Sequence, residues 1–218
     1  MKKQRKITFI IGAFLLSAFA LWTVLIMFVD VNAIGPNSSS VGFSSLNQHF
    51  QNMIGTNLVL YDITDLLSII PIASALGFAA LGLIQWIKRK KLSKVDHDLF
   101  VLGGFYATVL GAYLLFEILS VNFRPILIEG VLEASYPSST TMLVLCIMPT
   151  DAMQLWGRIK NKYIKIAAIA LISIFTSFML FGRIISGVHW ITDIIGGALL
   201  SGGLVLFYYS FASSTKKT

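Results

Sequence analysis

Gly182-Arg183-Ile184-Ile185-Ser186-Gly187-Val188-His189-Trp190-Ile191-Thr192-Asp193 joins two apolar runs, residues 164–182 and residues 193–213. Each run is close to the ~20 residues a helix needs to cross a hydrocarbon core. The quoted stretch therefore predicts a turn at a membrane edge. It also places an Arg, a His and an Asp together in a chain with few charges. His189 and Asp193 are four apart, so on a helix they share one face. Arg183 stands just upstream, where a guanidinium can hold an anion beside the imidazole. A cation for the oxygens, a ring nitrogen as nucleophile or base, and a carboxylate to orient the ring suit phosphate chemistry.

Outward from that stretch, the composition is that of an integral membrane protein. Of the 218 residues, 56% are hydrophobic and 12% are charged, and the mean hydropathy is +0.80. Soluble domains carry roughly 25% charged residues. Apolar runs predict six spanning helices, at roughly 7–29, 66–87, 99–121, 139–157, 164–182 and 193–213. The first follows Met1-Lys-Lys-Gln-Arg-Lys6, as a signal peptide would. Its apolar run is too long for a signal core and no small-residue cleavage site ends it, so it reads as a retained helix. The expected architecture is all-α: one membrane domain over residues 1–218, built as a six-helix bundle.

The basic residues set its orientation. Lys2, Lys3, Arg5 and Lys6 precede span one; Lys88, Arg89, Lys90, Lys91 and Lys94 lie between spans two and three. Arg158, Lys160, Lys162 and Lys165 lie between spans four and five, and Lys216 and Lys217 follow span six. These 15 of the 17 Lys and Arg fall on one side, which the positive-inside rule makes cytoplasmic, with both termini there. The net charge of +7 thus needs no nucleic-acid partner; anionic lipid headgroups are its natural neighbours. The other two cations, Arg124 and Arg183, end spans three and five on the outer side, where His189 and Asp193 open span six. Two arginines there either snorkel to the interface or converge on a site; the adjacent His and Asp favour the site.

The remaining segments carry less chemistry. Cys146, the single cysteine, lies in an apolar run and reads as a packed thiol with no disulfide partner. No His/Cys cluster has metal-ligand spacing and no Gly-rich phosphate loop is present, so no metal or cofactor is expected. His97, beside Asp96 and Asp98, lacks partners for a metal. Residues 30–58 are rich in Ser, Asn and Gly, with Phe43, Leu46, Phe50 and Met53 at helical spacing. They predict an interfacial helix with His49 on its surface. Gly196-Gly197 and Gly202-Gly203 allow close helix packing. Arg124-Pro125 closes span three, and Tyr136-Pro137-Ser138-Ser139-Thr140-Thr141 opens span four. Proline and small hydroxyl residues there are capping chemistry. The same helix N-terminus offers free N–H groups and a positive dipole end to a phosphate.

Three pieces now stand in order: Glu117-x6-Arg124-Pro125, Pro137-Ser138-Ser139-Thr140 and Gly182-Arg183-x5-His189-x3-Asp193. They resemble the K-x6-R-P, P-S-G-H and S-R-x5-H-x3-D motifs of the type-2 phosphatidic acid phosphatase superfamily of membrane lipid phosphatases. The resemblance covers roughly residues 60–213. It implies that His189 attacks phosphorus and becomes a phospho-histidine, with Asp193 orienting it. It implies that Arg124 and Arg183 grip the phosphate oxygens, and that Ser138 and Ser139 line the phosphate pocket.

The chain departs from the family pattern at four places. Glu117 replaces the Lys, Ser139 the Gly, Thr140 the motif-two His and Gly182 the motif-three Ser. In the family that His protonates the leaving group, which a Thr hydroxyl is far too weak an acid to do; general acid catalysis is worth about 10²–10⁴-fold. A lipid diphosphate of the undecaprenyl type is therefore the expected substrate, because its leaving group is itself a phosphate. Glu117, paired with an arginine or protonated by burial, or one of Glu129 and Glu133, is a candidate replacement acid. The alternatives are a lipid phosphotransferase, or a non-hydrolytic lipid-phosphate binding, transport or regulatory protein. Retained His189 and Asp193 favour catalysis, since headgroup binding needs only the arginines. The expected setting is a bacterial plasma membrane, with the site on the outer face.

Overall fold

Eight α-helices carry residues 2–212, the described part of the computed structural model: α1 (Lys2–Phe28), α2 (Ser44–Ile54), α3 (Leu58–Leu67), α4 (Ile69–Arg89), α5 (His97–Leu119), α6 (Ser139–Arg158), α7 (Lys162–Ser186) and α8 (Ile191–Ala212). Among the described residues there is no strand, only isolated bridges in the loops. Lys216 and Lys217, and residue 213 at the end of expected span six, lie outside the described residues.

Among the described residues, five stretches are long and apolar enough to cross a membrane: Lys3–Phe28, Leu58–Arg89, His97–Leu119, Lys162–Ser186 and Ile191–Ala212. The second starts eight residues before the expected 66. Asp62 and Asp65 interrupt its apolar pattern, yet Asn57 caps α3 by accepting a hydrogen bond from the Leu60 amide at 2.9 Å. The remaining long helix, α6, matches expected span four and is the least lipid-like. Thr140, Thr141, Thr150, Asp151 and Gln154 are all buried on it. It packs against α4, α5, α7 and α8, so these groups bond to protein instead of facing hydrocarbon. Asp151 accepts hydrogen bonds from the Tyr106 hydroxyl at 3.2 Å and from the Ser74 hydroxyl. Gln154 Nε2 donates to the Tyr208 hydroxyl at 2.5 Å.

Small residues set how closely the helices approach. α1 lies along α8, where a Cβ on Gly203 would sit 3.1 Å from the Gly12 carbonyl oxygen. Gly196 faces the Tyr136 ring, Gly197 faces Ser138 and Thr141, and Gly202 faces Leu15. Both glycine pairs of α8 therefore serve packing. The core around them joins Phe19, Phe105, Tyr136, Met142, Cys146 and Tyr208, with Cys146 fully buried.

The chain alternates so that α3, α6 and α8 begin where α1, α5 and α7 end. Hydrogen bonds tie this end together. The Asn57 amide donates to the Ser186 carbonyl at 2.9 Å, the Ser138 amide to the Asp193 carbonyl at 3.2 Å, and Trp22 Nε1 to the Thr192 carbonyl at 3.1 Å. The opposite end carries the ion pairs Arg89–Asp96 at 2.8 Å and Arg158–Asp98 at 3.1 Å, with exposed His97 beside the Phe211 carbonyl at 3.2 Å.

The helix expected within residues 30–58 forms as α2, with His49 exposed. Its polar side faces the protein, while Leu46 and Met53 are exposed. Asn47 Nδ2 donates to the Gly42 carbonyl at 2.8 Å and to the Thr192 hydroxyl at 3.0 Å, and Gln51 Nε2 donates to the Gly187 carbonyl at 3.0 Å. α2 thus covers the turn between α7 and α8. That turn needs glycine at 187, where φ is +63° and a Cβ would lie 1.9 Å from the Gly55 carbonyl oxygen. The left-handed backbone alone costs a larger residue roughly 1–2 kcal/mol. Gly187→Val is expected to add a clash that pushes α2 off the turn. A clear fall in the thermal transition in detergent checks this, and an unchanged transition contradicts it.

Candidate functional site

The α7–α8 turn presents His189 from a cap that Asp193 builds. Asp193 Oδ2 reaches back to accept from the Trp190 amide at 3.1 Å, the reciprocal half of a capping arrangement at the start of α8. Asn122 Nδ2 donates to Asp193 Oδ1 at 3.3 Å. Trp190 Nε1 donates to the Phe123 carbonyl at 2.7 Å, which ties the turn to the loop after α5. In this frame His189 Nδ1 faces Asp193 Oδ2 at 3.7 Å, and His189 Nε2 lies 3.4 Å from Arg124 Nη1. Arginine can only donate, so Nε2 is the acceptor and the ring proton belongs on Nδ1, toward Asp193.

Burial, then the charges of Arg124 and Arg183, hold the His189 imidazole well below its ordinary pKa of 6.5. The ring is neutral near pH 7, with a lone pair on Nε2. A kcat/KM profile reports the free protein, so the acid limb of any activity that uses this lone pair is expected below pH 6.5. An acid limb above 6.5 contradicts the assignment. Stability follows the same sign. Below pH 6.5 the unfolded chain takes up a proton that the folded site refuses, so this contribution is lost as the pH falls.

The two arginines close on the same point. Arg183, only 1% exposed, donates through Nη2 to Asp65 Oδ1 at 2.8 Å and to the Thr140 hydroxyl. Its Nε and Nη1 are buried without a protein partner. Arg124 is buried on the loop after α5, with Nε 2.9 Å from Glu133 Oε2. The Tyr61 ring lies under both guanidinium groups, 4.8 Å from that of Arg183 and 5.6 Å from that of Arg124. A buried donor without a partner costs about 1–3 kcal/mol. An anion with several oxygens beside His189 Nε2 would supply the acceptors these groups lack.

The structure brings His189, Asp193, Arg124, Arg183 and Thr140 together and distributes the others differently. Thr140 is an acceptor for Arg183. Ser138 is buried as a joint between α6 and α8: its amide is spent on the Asp193 carbonyl and its Oγ accepts from the Thr141 hydroxyl at 3.0 Å. That amide is therefore not free for a phosphate. Ser139 is half-buried and shares a cleft with Tyr113, Glu117, Ser135 and His189. Glu117 is exposed and, among the described residues, has no ion-pair partner. The expectation that it is buried or paired with an arginine is corrected, because Glu133 takes Arg124 and the Glu117 side chain is exposed. Glu129 is exposed at the tip of the Ile128–Val131 turn. Among the described residues, no group of His, Cys, Asp or Glu is arranged to hold a metal ion.

Tyr61 and Asp65 were not anticipated. They sit four apart on α3, where with Asp62 and Thr64 they interrupt the apolar pattern, and such a group at membrane depth is the signal that marks them. Gly182 explains their access. A Cβ there would lie 2.7 Å from Thr64 Cγ2, so glycine lets α3 settle on α7 beside Arg183.

A family model described as the PAP2 superfamily matches residues 120–217. The matched stretch begins just after Glu117 and holds Arg124, Ser138, Arg183, His189 and Asp193. Among solved structures, the first transmembrane PAP2-type phosphatidylglycerolphosphate phosphatase from Bacillus subtilis matches with a TM-score of 0.62, covering 94% of this chain and 98% of that chain at 20% identity. At that identity the likeness is one of fold. No curated protein matches the chain. The apolar helices and this transmembrane neighbour make the chain a multi-pass membrane protein.

Proposed function

We propose that this chain, which belongs to the PAP2 (type-2 phosphatidic acid phosphatase) superfamily, removes a phosphate from a membrane lipid through a phospho-histidine at His189. One observation carries the reading. The neutral Nε2 of a buried His, backed by Asp193, faces the arginine pair, and Arg183 keeps unpartnered donors beside it.

The steps follow from that geometry. Oxygens of the terminal phosphate bind Arg124 and Arg183. His189 Nε2 attacks phosphorus, the N–P bond forms, and the bond to the leaving oxygen breaks with its electron pair. Asp193 balances the charge that the ring acquires. Water then attacks the phospho-histidine, inorganic phosphate departs, and Nε2 regains its lone pair. The arginines act where equatorial charge develops. No metal is required by this scheme.

Thr140 is held by Arg183 and is no acid, so a leaving group that departs without a proton is favoured. A polyprenyl diphosphate of the undecaprenyl type has one. A cleft lined by both Glu117 and His189 supports Glu117 as the acid for a leaving group that needs a proton. The second reading, lipid-phosphate binding or phosphotransfer without hydrolysis, draws on the carboxylates already paired with both arginines.

The proposed setting is a bacterial plasma membrane crossed six times, α6 included, with cytoplasmic termini and the site on the outer face. Lys3, Arg5, Lys6, Lys88, Arg89 and Lys162 all lie at the bundle end away from the site, which supports that orientation.

The test is phosphate release by the purified protein in detergent without added metal. The panel is a polyprenyl diphosphate, phosphatidic acid and phosphatidylglycerophosphate. Fastest release from the diphosphate is expected. Equal rates on the monophosphates remove the diphosphate preference, and no release from any substrate moves the reading to binding or transfer.

A further inference from the structure

We infer that Asp65 is a specificity-determining residue: its carboxylate stands on Arg183 as a built-in competitor of phosphate, so the site takes phosphate carried on a lipid and lets free phosphate go. The inference rests on the anion-clamp reading above.

The contact is direct, since Asp65 Oδ1 lies 2.8 Å from Arg183 Nη2. Its two sides are unequal. The Arg183 side chain is 1% exposed, whereas that of Asp65 is 56% exposed. The cation is locked between α7, Tyr61 and Thr140, while more than half of the carboxylate's side chain is left uncovered by protein. The helix that carries it is fixed by packing, because Thr64 is wholly buried against Gly182. Asp65 is therefore held beside the clamp at a constant, high local concentration. Glu133 stands on Arg124 in the same way, at 2.9 Å. The clamp is neutralised by the protein's own carboxylates before any substrate arrives.

An incoming phosphate must displace Asp65 or share Arg183 with it, and like charges at this range oppose its binding. A phosphate on a lipid is confined to the headgroup layer, and that confinement raises its effective concentration at the site. Free phosphate has no such advantage. Once the bond to the lipid is cut, the product loses its anchor and Asp65 regains Arg183. The residue therefore weakens the binding of both, and only the lipid-borne phosphate has the confinement that offsets the loss.

The test reads binding rather than turnover. Inorganic phosphate is titrated by calorimetry into the full-length protein in detergent: wild type, Asp65→Asn, Asp65→Ser and Asp65→Glu. Both neutral variants are expected to bind phosphate roughly 10-fold tighter than wild type, as removal of a close like charge does. Asp65→Glu is expected to stay near wild type. Asp65→Ser provides the neutral variant if Asp65→Asn does not fold. Unchanged or weaker phosphate binding in the folded neutral variants overturns the inference and makes Asp65 a support for Arg183. A wild type that hydrolyses no lipid removes the phosphatase reading, while tighter phosphate binding in the neutral variants still upholds the role of Asp65.

Discussion

His189→Ala is expected to abolish phosphate release, by about 10⁴-fold or more, and to leave the protein folded. The first part follows from the role of a nucleophile: without it the remaining groups bind and polarise but form no covalent intermediate. The second follows from how the turn is built. Asp193 holds it through the Trp190 amide and Asn122, and Trp190 holds it through the Phe123 carbonyl. His189 Nδ1 makes no hydrogen bond, so its loss breaks none of these ties. Wild type quenched during turnover should carry acid-labile phosphate on the protein, and His189→Ala should carry none. Residual release above about 1% of wild type would mean that water attacks the lipid phosphate directly, and the phospho-histidine would have to be abandoned.

The site residues differ in how far the sequence announces them, and the difference is physical. Arg183, His189 and Asp193 are readable because they interrupt apolar runs at a helix end and share local spacing. Arg124 is readable because it breaks the positive-inside pattern. Asp65 is not, since its partner Arg183 lies 118 residues away and no local period connects them. Its acidity even conceals it, because an acid inside an apolar stretch delays the apparent start of the helix. Glu117 fails for another reason. α5 is apolar all round, so no stripe says which side faces the bundle, and an acid on it has no predictable exposure. α2 inverts the usual rule. Leu46 and Met53 point outward in a membrane setting, and Asn47 and Gln51 point inward to bond the turn. The role of Ser138 depends on the crossing of α6 and α8, which a motif does not record.

Arg183→Met is expected to separate function from stability. The side chain it replaces is a buried guanidinium with one exposed carboxylate and one hydroxyl as partners, and with Nε and Nη1 unpartnered. Desolvating such a charge is expensive. Replacing buried ionic groups by well-packed apolar ones is often neutral, or stabilising by about 1–4 kcal/mol. Methionine is flexible enough to fill the space. The usual penalty for removing one member of a buried pair comes from stranding the other, but the Asp65 side chain is not buried in the protein. The thermal transition in detergent should therefore hold or rise. Phosphate release should fall roughly 10³-fold or more, the scale at which an arginine acts on a transferring phosphoryl group. A steep loss of thermal stability would instead make Arg183 the tie that holds α3 to α7 and α6. Full activity with intact stability would take Arg183 out of the clamp and leave Arg124 alone beside His189. The combination expected here, a lost reaction in a protein at least as stable, is the mark of a charge kept in the bundle for its chemistry.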